Sequence, residues 1–215
     1  MSTVNQSRRH FLKAAGITSG LVVGVAFTST GCAATKERPS ASDEALSFDA
    51  FLHFTTEGQC HFYLPHSEMG QGIYDGLTTL VAEELDLELD NIKVVHAGFD
   101  KAFVNPEYGI QVTGGSNSMR SRFTPLRQAA ANARAMLLTA AAKHLGAPAE
   151  DLQTENGQVL WQGQGHDYGN FVAEASKLKL SGDAALKDPE VFKLIGKDRQ
   201  RLDAMSKSTG TAVFG

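Results

Sequence analysis

Cysteine is scarce in this sequence, with two among 215 residues, Cys32 and Cys60. A disulfide scaffold is thereby excluded. The seven histidines, at 10, 53, 61, 66, 96, 144 and 166, come with no HExxH or CxxC companion, so direct zinc or haem ligation has no support. Nucleotide signatures are also missing. Gly70-Gln71-Gly72-Ile73-Tyr74-Asp75-Gly76 places its third glycine one position too late for G-x-G-x-x-G, and no Lys-Ser or Lys-Thr closes a phosphate loop. His66-Ser67-Glu68 lacks the G-x-S-x-G context of a hydrolase serine elbow. Lysine and arginine total 20 against 24 acidic residues, a formal charge of −4, and nothing in that balance favours nucleic acid. The 42% hydrophobic content rules out a largely disordered chain and suits one medium domain.

Acidic residues are absent from the first 34 positions. Ser7-Arg8-Arg9-His10-Phe11-Leu12-Lys13 precedes an uncharged, moderately apolar stretch from Ala14 to Thr30, followed by Gly31-Cys32-Ala33-Ala34. This is the plan of a secretory signal, and the paired arginines match the twin-arginine pattern, so export to the periplasm is expected. Either Gly31-x-Ala33 or Cys32-x-Ala34 satisfies a small-x-small cleavage rule. Ser29 stands where lipoprotein processing of Cys32 prefers a leucine-like residue. An uncleaved membrane tether over 14–30 is the alternative, weakened by Gly16, Gly20 and Gly24. Removal of the signal leaves 17 basic against 24 acidic residues, a charge of −7 on a body of roughly 180 residues.

Residues 35–47 read as a flexible tether and 48–178 as an α+β domain: a two-layer arrangement of short strands and hairpins packed on two main helices. Phe48 to Phe54 and Cys60 to Leu64 predict a hairpin, with His53 and His61 facing each other across it. Ile73, Leu77, Leu80, Val81 and Leu85 at helical spacing predict a helix, and Ile92 to Ala97 a strand. Ile110-Gln111-Val112 reads as another short strand. A long alanine-rich helix runs toward Leu145, with Thr124-Pro125 as the N-cap and first residue of its main part, Asn117 to Phe123 as a separate turn or a kinked extension, and Gly146 and Pro148 as its stop. Asn156-Gly157 centres a tight hairpin within Gln153 to Trp161, and Tyr168 to Leu178 returns to helix. Residues 179–215 look like a loose connecting arm whose last phrase, Thr209 to Gly215, opens a further domain.

Two glycine-rich loops carry the chemistry. Gly70-Gln71-Gly72 and Thr113-Gly114-Gly115-Ser116 each precede a helix, where unpaired N–H groups and the positive dipole end suit a polar, phosphate-bearing cofactor. An ordinary helix cap is the plainer reading of either loop alone. Glu83 and Glu84 read as helix surface. Arg120, Arg122, Arg127 and Arg134 suit a phosphate, solvent or a partner.

Several phrases in order resemble one family. These are Ser67-Glu68-Met69-Gly70-Gln71-Gly72-Ile73-Tyr74, Ala82-Glu83-Glu84-Leu85-Asp86, Thr113-Gly114-Gly115-Ser116-Asn117-Ser118-Met119-Arg120, Pro125-Leu126-Arg127-Gln128-Ala129, Glu155-Asn156-Gly157, and Phe192-Lys193-Leu194-Ile195-Gly196-Lys197 through Arg201-Leu202-Asp203. They resemble the N-terminal part of the isoquinoline 1-oxidoreductase β-subunit type, among the molybdopterin-binding large subunits of the xanthine dehydrogenase and aldehyde oxidase superfamily. The resemblance implies a molybdopterin-type molybdenum cofactor against Gly70, Gln71 and Gly72, with Thr113, Gly114, Gly115 and Ser116 beside it. It implies hydroxylation of an N-heteroaromatic or oxidation of an aldehyde with oxygen from water. Electrons would pass to an iron-sulfur small subunit and onward to a cytochrome c, and export would use the twin-arginine machinery. No protein metal ligand is implied, because the pterin supplies the sulfur. Family members are several times longer, and their catalytic glutamate lies beyond the region resembled. The 215-residue chain is therefore expected to be truncated or split, inactive alone and a poor binder of the pterin. A non-catalytic exported module that kept the fold for a partner or small ligand is the competing expectation.

Overall fold

The computed structural model describes residues 46–47 and 50–212. The expected signal and nearly all of the tether lie outside them. Strands β1 (Leu46–Ser47), β2 (Leu52–Phe54), β3 (Cys60–Leu64) and β4 (Ile92–His96) form a sheet in that order. The sheet thus begins at the last two residues of the expected tether. β2 and β3 form the expected antiparallel hairpin, with His53 opposite His61. β4 lies parallel to β3, Cys60 opposite Ile92 and Leu64 opposite His96. A parallel pair requires a crossover, and helix α1 (Ile73–Leu85) supplies it. Its five periodic apolar residues, Ile73, Leu77, Leu80, Val81 and Leu85, are all buried.

Helix α2 (Ser118–Leu145) packs on α1 through Leu126, Ala130, Ala133, Leu137, Ala140 and Ala141, a face of small residues between two leucine anchors. It starts earlier than Thr124-Pro125 suggests, and Pro125 lies inside it. The physical reason is tertiary. Buried Asn117 bonds Asn105 and donates to Glu107 Oε2 at 2.6 Å, fixing the first turns, while proline forfeits one backbone bond, to the Ser121 carbonyl. Gly146, at φ 65°, ends the helix as expected.

Two other expectations need correction. Ile110-Gln111-Val112 is not a strand, because side chains replace the ladder there. Gln111 Nε2 donates to Gly98 O at 3.2 Å, and Val112 O meets His66 Nδ1 at 3.1 Å. Thr209 to Ala212 are turn and not strand, since Thr211 and Ala212 donate to Ser206 O and close α4 (Ala204–Ser208), while 213–215 of that expected strand lie outside the described residues.

The second sheet contains β5 (Gln153–Glu155), β6 (Gln158–Trp161) and β7 (Gln164–Asp167), all antiparallel. Asn156 at φ 48° and Gly157 at φ 77° make the primed turn that the Asn-Gly pair predicts. The third strand was not anticipated. Helix α3 (Gly169–Ala175) follows, and buried Tyr168 donates its hydroxyl to Leu85 O at 2.8 Å. The result is the two-layer α+β class expected. Among the described residues no helix is long and apolar enough to cross a membrane.

The arm after α3 is tied to α1 by buried acid. Glu83 and Glu84 have fully buried side chains, which corrects the surface reading. Glu83 accepts from the backbone N–H groups of Lys193, Leu194 and Ile195 at 2.7–3.1 Å. Glu84 accepts from Arg127 Nε at 2.8 Å and from Lys187 N at 3.2–3.3 Å. A buried carboxylate tolerates desolvation only with such donors. Glu83→Ala should strip hydrogen-exchange protection from Lys193, Leu194 and Ile195 and destabilise the fold by about 3 kcal/mol, read by exchange mass spectrometry and thermal melts.

Candidate functional site

The segments that lead into the two glycine-rich loops meet at one end of the first sheet, and of the seven expected cofactor contacts Thr113 lines the cleft there whereas Gly70, Gln71, Gly72, Gly114, Gly115 and Ser116 do not. The carboxyl ends of parallel β3 and β4, at Leu64 and His96, open on a cleft of about 460 Å³. Leu64, Pro65, Met69, Ala97, Phe99 and Val112 give it apolar walls. His66, Ser67, His96, Gln111 and Thr113 supply its polar groups. Crevices at the carboxyl ends of parallel strands are the common ligand positions of βαβ units. The Ser67 amide donates to Thr113 Oγ1 at 2.9 Å, so a hydrogen bond joins the bases of the two loops.

The first loop is internally braced. Gln71 Oε1 accepts from Met69 N at 2.5 Å, and Gln71 Nε2 donates to Ser67 O at 2.8 Å. One amide hydrogen and one lone pair of that side chain stay available. Gly70 and Gly72, at φ 98° and 88°, turn the backbone so that their N–H groups point at the Glu68 carboxylate. Glu68 also accepts from Tyr74 N at 2.9 Å, and it pairs with Arg201 at 3.3 Å and Lys207 at 3.0 Å. The helix terminus that the sequence offers to an exogenous anion is therefore filled by the chain's own carboxylate. Gly70 and Gln71 are exposed and Gly72 is half-buried beneath the Arg201 guanidinium. In the second loop Thr113 is half-buried, and Gly114, Gly115 and Ser116 are exposed.

Burial by itself raises the Glu68 pKa, but donation from Tyr74, Lys207, Gly72 and Gly70 overrides it and holds the group at about 2, against 4.5 in an unstructured chain. His66 is lowered from its ordinary value, first by burial and then by the nearby Arg122 charge, against an opposing bond to Val112 O. It is neutral at pH 7. Since a carbonyl only accepts, Nδ1 carries the proton and Nε2 bears the lone pair. Nε2 is buried and meets no hydrogen-bond partner.

The arginines serve the fold. Arg120 pairs with Glu107, and buried Arg122 donates to Phe103 O and Val104 O at 2.7 and 3.0 Å. Arg127 bonds Glu84, and Arg134 lies within 4 Å of Glu84 and Asp86. None of the four lines the cleft. The residues that sequence reasoning missed here are Arg201 and Lys207, whose link to Glu68 spans 133 and 139 positions and leaves no local pattern.

A model of the molybdopterin cofactor-binding domain matches residues 4–212. The chain belongs to that family. Among curated relatives of this molybdopterin-binding chain, the isoquinoline 1-oxidoreductase β-subunit of Brevundimonas diminuta is 33% identical, over 99% of this chain and 32% of the relative. A nicotinate dehydrogenase subunit of Pseudomonas putida is 31% identical, over 97% of this chain and 17% of the relative. The membrane-bound aldehyde dehydrogenase [pyrroloquinoline-quinone] of Gluconacetobacter polyoxogenes is 26% identical, over 97% and 27%. The chain thus spans about a third or less of the length of these relatives. A crystal structure of quinoline 2-oxidoreductase from Pseudomonas putida 86 has a TM-score of 0.39 and 18% identity, covering 58% of this chain and 16% of that one. The cofactor of the family is of the molybdopterin type. The cleft has the mixed lining that suits a heterocycle such as a pterin: apolar walls with the polar groups of Ser67, His96, Gln111 and Thr113 among them. The N-terminus of α1 does not fit its phosphate, because Glu68 is already there.

The depressed Glu68 pKa makes its contribution complete above about pH 4.5 and lost as pH falls toward 2. Glu68→Gln should remove about 2 kcal/mol at pH 7 and flatten the stability profile over that acid window, as measured by denaturant melts from pH 2 to pH 7.

Proposed function

We propose that this chain is the segment of an exported molybdenum hydroxylase that forms one wall of the cofactor pocket. Family membership and the Ser67–Thr113 hydrogen bond, which joins the segments leading into the two glycine loops beside the cleft, support this reading. Gly70, Gln71, Gly72, Thr113, Gly114, Gly115 and Ser116 are the proposed contacts, through the spare valences of Gln71 and Thr113 and the backbone of the second loop, while Gly70 and Gly72, whose amides Glu68 takes, shape the first loop. When bound, the cofactor supplies the redox centre for hydroxylating an N-heteroaromatic or oxidising an aldehyde with oxygen from water. The chain's own part is binding and orientation: the braced loop is preformed, and Leu64, Pro65 and Met69 exclude water from one side. The proposed proton-accepting base is the family's glutamate, which the resemblance puts outside the region this chain matches. An iron-sulfur subunit and a cytochrome c are the proposed electron acceptors. In the proposed organisation 1–34 is the twin-arginine signal, 35–45 the tether, 46–178 the cofactor-binding domain beginning at β1, and 179–215 the arm toward the next domain.

The chain made alone in a host that synthesises the cofactor should contain far less than one molybdenum per protein and show no turnover. Co-expression with the remaining two thirds of a relative such as the isoquinoline enzyme should restore both, as read by metal analysis and released-pterin fluorescence. Stoichiometric molybdenum and turnover in the chain alone would overturn the incomplete-pocket reading. For export, changing Arg8 and Arg9 together to Lys should retain the protein in the cytoplasm, as measured by fractionation and N-terminal sequencing.

A further inference from the structure

Backbone amides from the first glycine loop and cations from the arm meet on one carboxylate. Glu68 Oε1 accepts from Gly70 N at 2.8 Å and Gly72 N at 3.2 Å, and Oε2 accepts from Tyr74 N at 2.9 Å. Those donors bracket Gln71, so the place of the carboxylate sets the path of the backbone that carries this side chain. The carboxylate is itself placed from the arm. Lys207 Nζ reaches Oε1 at 3.0 Å and Arg201 Nη2 reaches it at 3.3 Å. Arg201 also touches the loop directly: Nη1 lies 3.5 Å from Gly70 O, and the guanidinium stands 3.6 Å from the point that a β-carbon on Gly72 would occupy. Asp203 aligns both cations, accepting from Arg201 Nε and Nη2 at 3.0 Å each and from Lys207 Nζ at 2.6 Å. The arm keeps a separate hold on α1, where Arg199 and the Leu202 amide donate to Asp75 at 2.9–3.0 Å. What the cations add at Glu68 therefore falls on the loop.

We propose that Arg201 and Lys207 are positioning residues for Gln71: they hold Glu68 against the amides on either side of it and so aim the spare N–H and lone pair of the Gln71 side chain at the cofactor. The inference rests on the cofactor reading above and deepens it, by assigning the orientation of one proposed contact to two residues that do not line the cleft. Charge balance argues for it. The Glu68 side chain is only 9% exposed, and its charge is matched there because Arg201 and Lys207 offset Glu68 and Asp203. The Gln71 amide depends on the same backbone. Its Oε1 takes Met69 N and its Nε2 gives to Ser67 O, bridges that hold only while residues 67–72 keep their turn. Arg201 is the more exacting of the pair, because a guanidinium fork serves Glu68, Asp203 and Gly70 O together whereas an ammonium is a point charge. Both cations stay partly open to solvent, at 39% and 25%, so replacing them leaves no void in the core.

The first test is amide hydrogen exchange of the whole chain, which requires no cofactor. In the double variant Arg201→Ala, Lys207→Ala, the amides of Gly70, Gly72 and Tyr74 should exchange about tenfold faster or more, with those of Leu80 to Leu85 within about twofold of the original. Lys207→Arg should keep the original loop rates, and Arg201→Lys should recover only part of them. The second test uses the complex co-expressed with the remaining two thirds of the isoquinoline relative. Turnover per bound molybdenum should fall about fivefold or more in the double variant, with KM within about twofold and the yield of assembled complex unchanged, since Gln71 is proposed to orient cofactor and not substrate. Residues that only stabilised the fold would lower the yield and leave turnover per molybdenum intact. Loop amides as slow in the double variant as in the original would overturn the positioning role and leave the cofactor reading standing. Fast loop amides with full turnover per molybdenum would overturn the link from loop to cofactor. An unmodified complex without molybdenum or turnover would overturn the cofactor reading and this inference with it. Should the double variant fail to fold, Arg201→Lys decides: loop exchange and turnover identical to the original would overturn the role.

Discussion

Four parts of this molecule are held by the buried acid at the end of one helix. Glu84 receives Arg127 of α2, and Glu83 receives three consecutive amides of the arm. Asp86, in the left-handed conformation at φ 51°, accepts from Lys187 Nζ and from the Thr154 hydroxyl of β5, both at 2.6 Å. Its carbonyl takes the Gly157 amide of the hairpin turn at 2.8 Å. Apolar packing of α1 against α2 supplies the bulk of the burial, but it is non-directional. The carboxylates fix which backbone atoms meet, and so fix where the arm crosses the helix.

That crossing has a functional side. The arm continues from the Glu83 contact to Arg199, which forks onto Asp75 at 2.9 Å, and on to Arg201 and Lys207 at Glu68. One run of chain thus clamps α1 at its tail, along its flank and at the loop before its first turn. The glycine loop is thereby held in shape by residues that do not line the cleft.

The sequence made the local half of this legible. Periodic apolar residues identified α1, Asn156-Gly157 identified the second hairpin, and two apolar runs separated by the glycine-bearing loop Thr55 to Gln59 placed His53 opposite His61. What escaped was decided at long range. Pro125 looked like a start because a local rule says so, whereas Asn105 and Glu107 hold Asn117 and extend the helix past it. Glu83 and Glu84 looked like surface because their sockets come from residues more than 40 positions away. A trace of those sockets was present in the sequence: adjacent helical residues point about 100° apart, so two acids flanked by Ala82 and Leu85 cannot both leave the protein on a narrow polar stripe. Both glycine loops were recognised, but the internal carboxylate that fills one of them was not, since a glutamate two residues before a glycine carries no mark of its direction.

Glu68 joins partners 133 and 139 residues farther along the chain, and that separation sets an order of events in folding. Contacts so distant in sequence form late, after closure of a large loop, while α1 and the first hairpin need only their neighbours. The loop before α1 can therefore reach its final shape only when residue 207 has been made. Until then a ribosome-bound chain would carry a formed helix with an unfinished loop at its start.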